Sequence, residues 1–389
     1  LKLAFYYHIP ASIKPDGIYF PAYYGVFIDS IASQSEQFIL VVHEANEYEN
    51  EHNNYKLQSK NVNVVNLGIT TPAWHRAIFH KNIMSDIKET LNRCDAMIVR
   101  CPCALAPFMH NYVSKEKIWF LAIGNYREAA KHWKIKSIRD GAIKIYLLIN
   151  DFLFRRQLRG GNLLVNSKRL LEEYSGIAQR TFQVSTSTIS ETDFYYREDT
   201  CLQKEVNLLY AGRIDRAKGL FELVEAVATL VEMGRNIQLN LAGWELNEGN
   251  HIEMELKLLA KKLGIINNMK FLGMLSSGSA LNNAYRSADI FVLPSYHEGF
   301  PRVIWEAFAN SLPVVATKVG GIPDVLIHLK NGLLIPPKKS SAIAEAINQL
   351  IENPKLRKNL ISKGRVLAKE NMVQNQTSLL MNYIKNNTP

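Results

Sequence analysis

Cysteine is scarce in this chain, and uninterrupted apolar stretches are short. Each shortage removes a class of protein. The 4 cysteines, Cys94, Cys101, Cys103 and Cys201, lack metal-ligand spacing: Cys101-Pro102-Cys103 is too tight for half a zinc knuckle, and no second Cys or His pair follows. They read as reduced thiols, some of them buried, and they exclude a disulfide scaffold. The longest apolar run, Ile145 to Phe154, falls short of the roughly 18–20 residues of a membrane span and carries Asp151. The opening Leu1-Lys2-Leu3-Ala4-Phe5-Tyr6 reads as a strand rather than a secretory signal, so a cytoplasmic location is expected. No repeat of about 20–50 residues is found, which sets aside solenoids and propellers.

What remains is an ordinary globular composition. The 389 residues, 47% hydrophobic and 21% charged, are enough for two domains with real cores. The net charge of +10 is uneven, since Arg127 to Arg169 holds 11 basic and 3 acidic residues. Such a surface attracts polyanions, or is a solvated helical face.

From Glu205 onward short apolar strands alternate with helices. Strands are expected at 206–212, 237–242, 269–272, 290–293 and 313–316, with helices between them and three more over 341–385. In the first half strands are expected at 2–6, 38–43, 62–67, 96–99 and 118–122. Helices are expected at about 24–33 and 76–91 and within 137–158. The pattern means βαβ units and parallel sheets. The Ser/Thr-rich stretch Arg180–Thr200 holds the junction, giving domains 1–200 and 201–370 and a final helix at 371–389. Ligands of doubly wound sheets bind at the carboxyl ends of strands.

Two segments there carry chemistry. Gly212-Arg213-Ile214-Asp215-Arg216-Ala217-Lys218-Gly219 joins a strand to a helix. Gly212 permits a sharp turn, and Arg213 and Lys218 sit near a helix N-terminus, a place suited to a diphosphate, if they are not merely solvated cations. The loop is neither a P-loop nor a dinucleotide fingerprint. The second segment, Tyr296-His297-Glu298-Gly299-Phe300-Pro301-Arg302-Val303-Ile304-Trp305-Glu306, follows a strand. Glu298 lies in the loop and Glu306 in the helix that Pro301 opens, and Gly299 lets a ligand approach the backbone. The pair could hold a sugar and a phosphate of one ligand, or be two plain helix-face glutamates.

Together these segments resemble the GT-B retaining glycosyltransferases called family 4, glycosyl transferases group 1. The resemblance runs over about residues 206–355. It also takes in Lys270-Phe271-Leu272-Gly273, Ala288-Asp289-Ile290-Phe291-Val292-Leu293-Pro294-Ser295, Pro313-Val314-Val315-Ala316-Thr317 and Val319-Gly320-Gly321-Ile322-Pro323. It implies two Rossmann-like domains facing across a cleft, with the C-terminal helix packed back on the first. By the resemblance, Arg213 and Lys218 would bind the donor diphosphate and stabilise the departing nucleotide. Glu298 would contact the transferred sugar and Glu306 the ribose. Gly212, Gly299, Phe300, Pro301, Arg302 and Val303 would line the donor, and Met274-Leu275 would lie beside the base. No metal and no cofactor is implied. The donor would be a UDP-sugar, else a GDP-sugar, carrying a hexose or N-acetylhexosamine. The acceptor would be a carbohydrate or lipid-linked molecule of bacterial surface polysaccharide synthesis.

The first half departs from the family pattern. A Gly-Gly loop is expected after the first strand, and only Gly17 is present. Where a histidine is expected after strand 118–122 the chain reads Gly124-Asn125-Tyr126-Arg127. Asn125, Arg127, His110 and His8 are the candidate substitutes. Residues 138–159 interleave apolar and basic side chains, which suits either peripheral contact at the inner face of an anionic membrane or a packed helix with a charged end. No nucleic-acid recognition module is visible. Two rival readings are a non-catalytic GT-B subunit that binds carbohydrate or a partner enzyme, and a UDP-sugar epimerase.

Overall fold

The computed structural model describes residues 1–50, 53–133, 135, 137–245, 251–276, 278–299 and 302–388. Contacts divide the chain into two units, Leu1–Thr188 with Val373–Pro389, and Ile189–Met372.

Unit 1 holds strands β1 (Lys2–Lys14), β2 (Gly17–Phe20), β3 (Gln37–Glu44), β4 (Tyr55–Lys56), β5 (Val62–Ile69), β6 (Ala96–Cys101), β7 (Ile118–Ala122), β8 (Asn162–Val165) and β9 (Arg180–Gln183). Seven of them run parallel in the order β5-β3-β1-β6-β7-β8-β9. Their side chains alternate between two cores, as the pleat requires. Tyr6, Val41, Val99 and Phe120 fill one face, and Phe5, Leu40, Ile98 and Trp119 the other. Strands buried on both faces need apolar residues at nearly every position, which is why β6 and β7 read as continuous runs.

Two sequence expectations are corrected here. The first strand does not stop at Tyr6. It passes through a register shift between Tyr7 and Ala11, where Pro10 sits, and turns at Pro15-Asp16 into antiparallel β2. The stretch 76–91 is not one helix but short pieces, Ala73–Ile78, His80–Met84 and Lys88–Asn92, with a 3-10 turn between the last two. Asn82, Ser85, Thr90 and Asn92 are weak helix formers whose side chains compete for backbone groups, and only Met84 and Leu91 are buried among these helices.

The C-terminal helix Val373–Asn387 packs on the first helix, Ala22–Ala32, as expected. Val373, Leu380, Met381 and Ile384 share the face that enters the core of unit 1. The Thr377 hydroxyl lies 2.6 Å from the Ser30 hydroxyl and accepts from Gln34 Nε2 at 2.7 Å. The Tyr383 ring stacks on Phe182 at 4.2 Å.

Unit 2 holds β10 (Glu205–Ala211), β11 (Asn236–Ala242), β12 (Met269–Gly273), β13 (Ile290–Leu293), β14 (Val314–Thr317) and β15 (Leu333–Ile335), all parallel in the order β12-β11-β10-β13-β14-β15. The order reverses between β10 and β13, the switch point where doubly wound sheets open a crevice at their carboxyl edge. Residues 189–200 belong to this unit, so the contact division precedes residue 200. The buried Arg357 holds Asp199 at 2.9 Å, and Asp289 accepts the backbone N–H of Cys201 and of Asn207 at 2.8 Å.

Candidate functional site

At the switch point the two strands end in the two segments singled out by the sequence. After β10 the chain bends at Gly212, whose φ of 151° suits glycine. The Tyr210 hydroxyl donates to the Arg213 carbonyl at 2.6 Å and the Gly212 N–H to Ala242 at 2.9 Å. Asp215 then caps a 3-10 turn, Arg216–Lys218, by accepting from the Ala217 N–H at 2.8 Å. Gly219, with φ 65°, opens the helix Leu220–Glu232. A Cβ there would stand 2.1 Å from the Pro294 carbonyl, so only glycine brings this loop against the end of β13.

The contact between the two loops carries the charges. Lys218 Nζ lies 2.7 Å from Glu298 Oε1, with each side chain 14% exposed. Ser295 Oγ donates to the same carboxylate oxygen at 2.7 Å, and Thr317 Oγ1 donates to the Ser295 carbonyl at 2.5 Å. Tyr296 N–H reaches back to Ala217 at 2.7 Å. Gly320, at φ 52°, lets its own backbone press on the Glu298 carbonyl, and Gly321 N–H donates to that carbonyl at 3.1 Å. Glu298 is thus fixed from four directions. Charge-assisted bonds in a half-buried place are stronger than solvated ones. A cation, a carboxylate and a strand-to-helix turn side by side can grip a molecule with an anionic end and a hydroxylated end.

Glu306 lies on the helix Arg302–Ala309, and Tyr285, buried, donates to its Oε2 at 2.8 Å. Burial raises the Glu306 pKa, and the Tyr285 hydrogen bond pulls it back in part. Arg213 stays half exposed at 3.8 Å from Asp215. Gly299 is exposed, and a Cβ there would meet nothing within 4 Å among the described residues. Met274 and Leu275 follow β12, two strands from β10 on the same edge of the sheet. Arg302 and Val303 are half-buried in the first turn of their helix, while Phe300 and Pro301 lie outside the described residues.

Ser295, Tyr285 and Tyr210 escaped the sequence reading, because nothing in a linear pattern says which hydroxyl reaches a carboxylate or a carbonyl. Gly320 was legible as part of a motif but not as the support of Glu298.

In unit 1 the nominated residues make contacts within the fold. The Asn125 side chain caps the helix Tyr126–His132 by accepting from the Glu128 N–H at 2.7 Å. Arg127 pairs with the buried Asp151 at 3.1 Å. Gly17 stands in the β1–β2 turn opposite Lys14. His110 packs edge-on to Phe120, and burial lowers its pKa to about 4. Among the described residues no group of three or more His, Cys, Asp or Glu side chains could hold a metal ion.

The geometry is that of a crevice at the switch point of a doubly wound unit, and comparison with known proteins shows what the chain is similar to. Residues 196–367 match the family described as glycosyl transferases group 1. It is 38% identical over 151 residues to a D-inositol 3-phosphate glycosyltransferase of Corynebacterium jeikeium, covering 38% of this chain and 36% of that one. It is 28% identical over 191 residues to the capsular polysaccharide biosynthesis glycosyltransferase CapM of Staphylococcus aureus, covering 49% and 47%. The matched stretch is less than half the length of either relative. The fold extends further: Anabaena HepE, solved with UDP and glucose, superposes with a TM-score of 0.71 over 99% of both chains at 18% identity. The fold is GT-B.

Proposed function

We propose that this protein is a retaining, metal-independent glycosyltransferase that moves a hexose or N-acetylhexosamine from a nucleoside-diphosphate sugar, UDP in the first instance, to a carbohydrate or lipid-linked acceptor. The observation that carries it is the Lys218–Glu298 pair at 2.7 Å, set against the Gly212–Gly219 turn at the switch point of unit 2. In this reading the diphosphate lies over the turn and the first residues of the helix Leu220–Glu232. Arg213 and Lys218 take up the negative charge that grows on the leaving nucleotide. Glu298 accepts hydrogen bonds from sugar hydroxyls and Glu306 from the ribose. The bond from the anomeric carbon to the β-phosphate oxygen breaks and one to the acceptor oxygen forms on the same face. The acceptor's proton passes to the departing phosphate. HepE's UDP and CapM's part in capsular polysaccharide biosynthesis support the choice of donor and pathway.

Contact with an anionic membrane belongs to the same proposal. Along the helix Ile138–Leu158, Ile138, Ile145, Ile149 and Phe152 are exposed on one face, with Arg139 and Arg156 exposed beside them. No helix among the described residues is long and apolar enough to cross a membrane. The direct test is to incubate the protein with UDP- and GDP-sugars and a panel of acceptors, with and without EDTA, and to read the product's anomeric configuration by NMR. An inverted linkage, or activity lost with EDTA, contradicts the proposed mechanism.

A further inference from the structure

The interior of unit 1 holds positive charge that no carboxylate answers. At the carboxyl edge of its sheet three neighbouring strands present His8 (β1), His43 (β3) and Arg100 (β6), and the helix Ala73–Ile78 that follows β5 brings Arg76 beside them. Arg100 is 6% exposed. Its Nη1 donates to His8 Nε2 at 3.1 Å, and its guanidinium lies over the adjoining Tyr7 and Tyr24 rings, 4.9 and 4.8 Å from their centroids. Because His8 Nε2 accepts, the ring proton sits on Nδ1, which is buried and has no hydrogen-bond partner. Arg76 Nε and Nη1 are likewise buried and unpartnered, and the Tyr6 hydroxyl stands beside Arg76. Neither arginine forms an ion pair with a carboxylate among the described residues. Burial, and after it the two guanidiniums, push the His8 pKa down to about 3, so the ring adds a donor and no charge.

A buried guanidinium without an anion is costly, and cation–π contact offsets only part of that. Two guanidiniums and an imidazole N–H also offer more donors than a planar carboxylate accepts in the usual paired geometry, and the three terminal oxygens of a phosphate ester take up more of them. The carboxyl edge of a doubly wound sheet is also where such units receive ligands.

We propose that Arg76, Arg100 and His8 form an anion site in unit 1, and that the acceptor it receives carries a phosphate ester. This rests on the glycosyltransferase reading, because it names the acceptor's chemistry.

The test uses the full chain and two independent titrations, UDP for unit 2 and glucose 6-phosphate for unit 1, each repeated with Arg76→Gln, Arg76→Lys and Arg100→Gln. The expected result is saturable binding of glucose 6-phosphate but not glucose, weakened about tenfold or more by Arg76→Gln and partly restored by Arg76→Lys, with UDP affinity unchanged. Arg100 is buried against two rings, so the partly exposed Arg76 gives the variant that keeps its fold. Sedimentation with phosphatidic acid vesicles, set against phosphatidylcholine, separates a lipid-borne phosphate from a soluble one; Arg76-dependent binding of either supports the site. Equal binding of glucose and its phosphate, preference for glucuronate, or indifference to Arg76 overturns it. Failure of UDP to bind would instead strike the donor reading and leave this result to be judged separately.

Discussion

The two units are built on the same doubly wound plan and differ in what occupies the carboxyl edge. In unit 2 the edge is shaped by backbone: Gly219 lies against Pro294, Gly243 against Gly212 and Gly320 against Glu298, each too close for a Cβ. Its buried cation is paired, Lys218 with Glu298. In unit 1 the edge is shaped by side chains, with arginines, histidines and tyrosines packed together and several polar atoms unpartnered. A backbone-made site constrains residue type at fixed spacing, so it shows in a sequence. A side-chain-made site can be assembled many ways, and no spacing betrays it.

The sharpest way to break the contrast is to remove chemistry from unit 2 while leaving its shape. Glu298→Gln keeps the size of the side chain but loses the charge that faces Lys218 and Ser295. Transfer is expected to fall about a hundredfold or more in kcat with circular dichroism unchanged. Wild-type kcat in this variant would show that the carboxylate has no part in turnover.

Shape comes next. Gly219→Ala places a Cβ against the Pro294 carbonyl at a φ of 65°, which is expected to destabilise unit 2 by at least about 2 kcal/mol. Urea denaturation followed by hydrogen exchange should locate the loss in residues 205–335 and leave unit 1 protected. Uniform loss of protection would mean that the glycine contact does not set this edge.

These two positions also mark how far the sequence could be read. Alternating strands and helices, the Gly212–Gly219 turn and the spacing of Glu298 and Glu306 were legible because each depends on local chemistry or backbone conformation. The β1–β2 hairpin was missed although Pro15-Asp16-Gly17 is a turn signal, because Pro10 inside the run argues against a continuing strand. Arg76 and Arg100 carried no signal at all. Their meaning comes from standing near His8 across strands that sequence distance does not connect.

The smallest predicted effect is a difference in response to acid. His8 and His43 are held neutral, with pKa values lowered to about 3 and about 4, chiefly by burial and then by the neighbouring arginines. The unfolded chain therefore binds more protons below pH 6.5, and unit 1 should lose stability as pH falls from 6.5 toward 4. Glu306 acts in the opposite sense. Its folded pKa is raised above the ordinary 4.5 by burial, so its contribution to unit 2 improves as pH falls through that raised value toward 4.5. Hydrogen exchange corrected for intrinsic rates, at pH 7 and pH 5, should show unit 1 loosening first. Parallel behaviour of the two units would contradict the assignment of buried neutral histidines.

The central claim is that the Gly212–Gly219 turn and the Lys218–Glu298 pair form a nucleoside-diphosphate site, and calorimetric titration tests it most directly. UDP, GDP and ADP are titrated without metal into the wild type and Lys218→Ala. Saturable binding of one nucleotide, UDP by this account, weakened about tenfold or more in the variant, is the predicted result. No binding of any of the three, or equal affinity in both proteins, would contradict it.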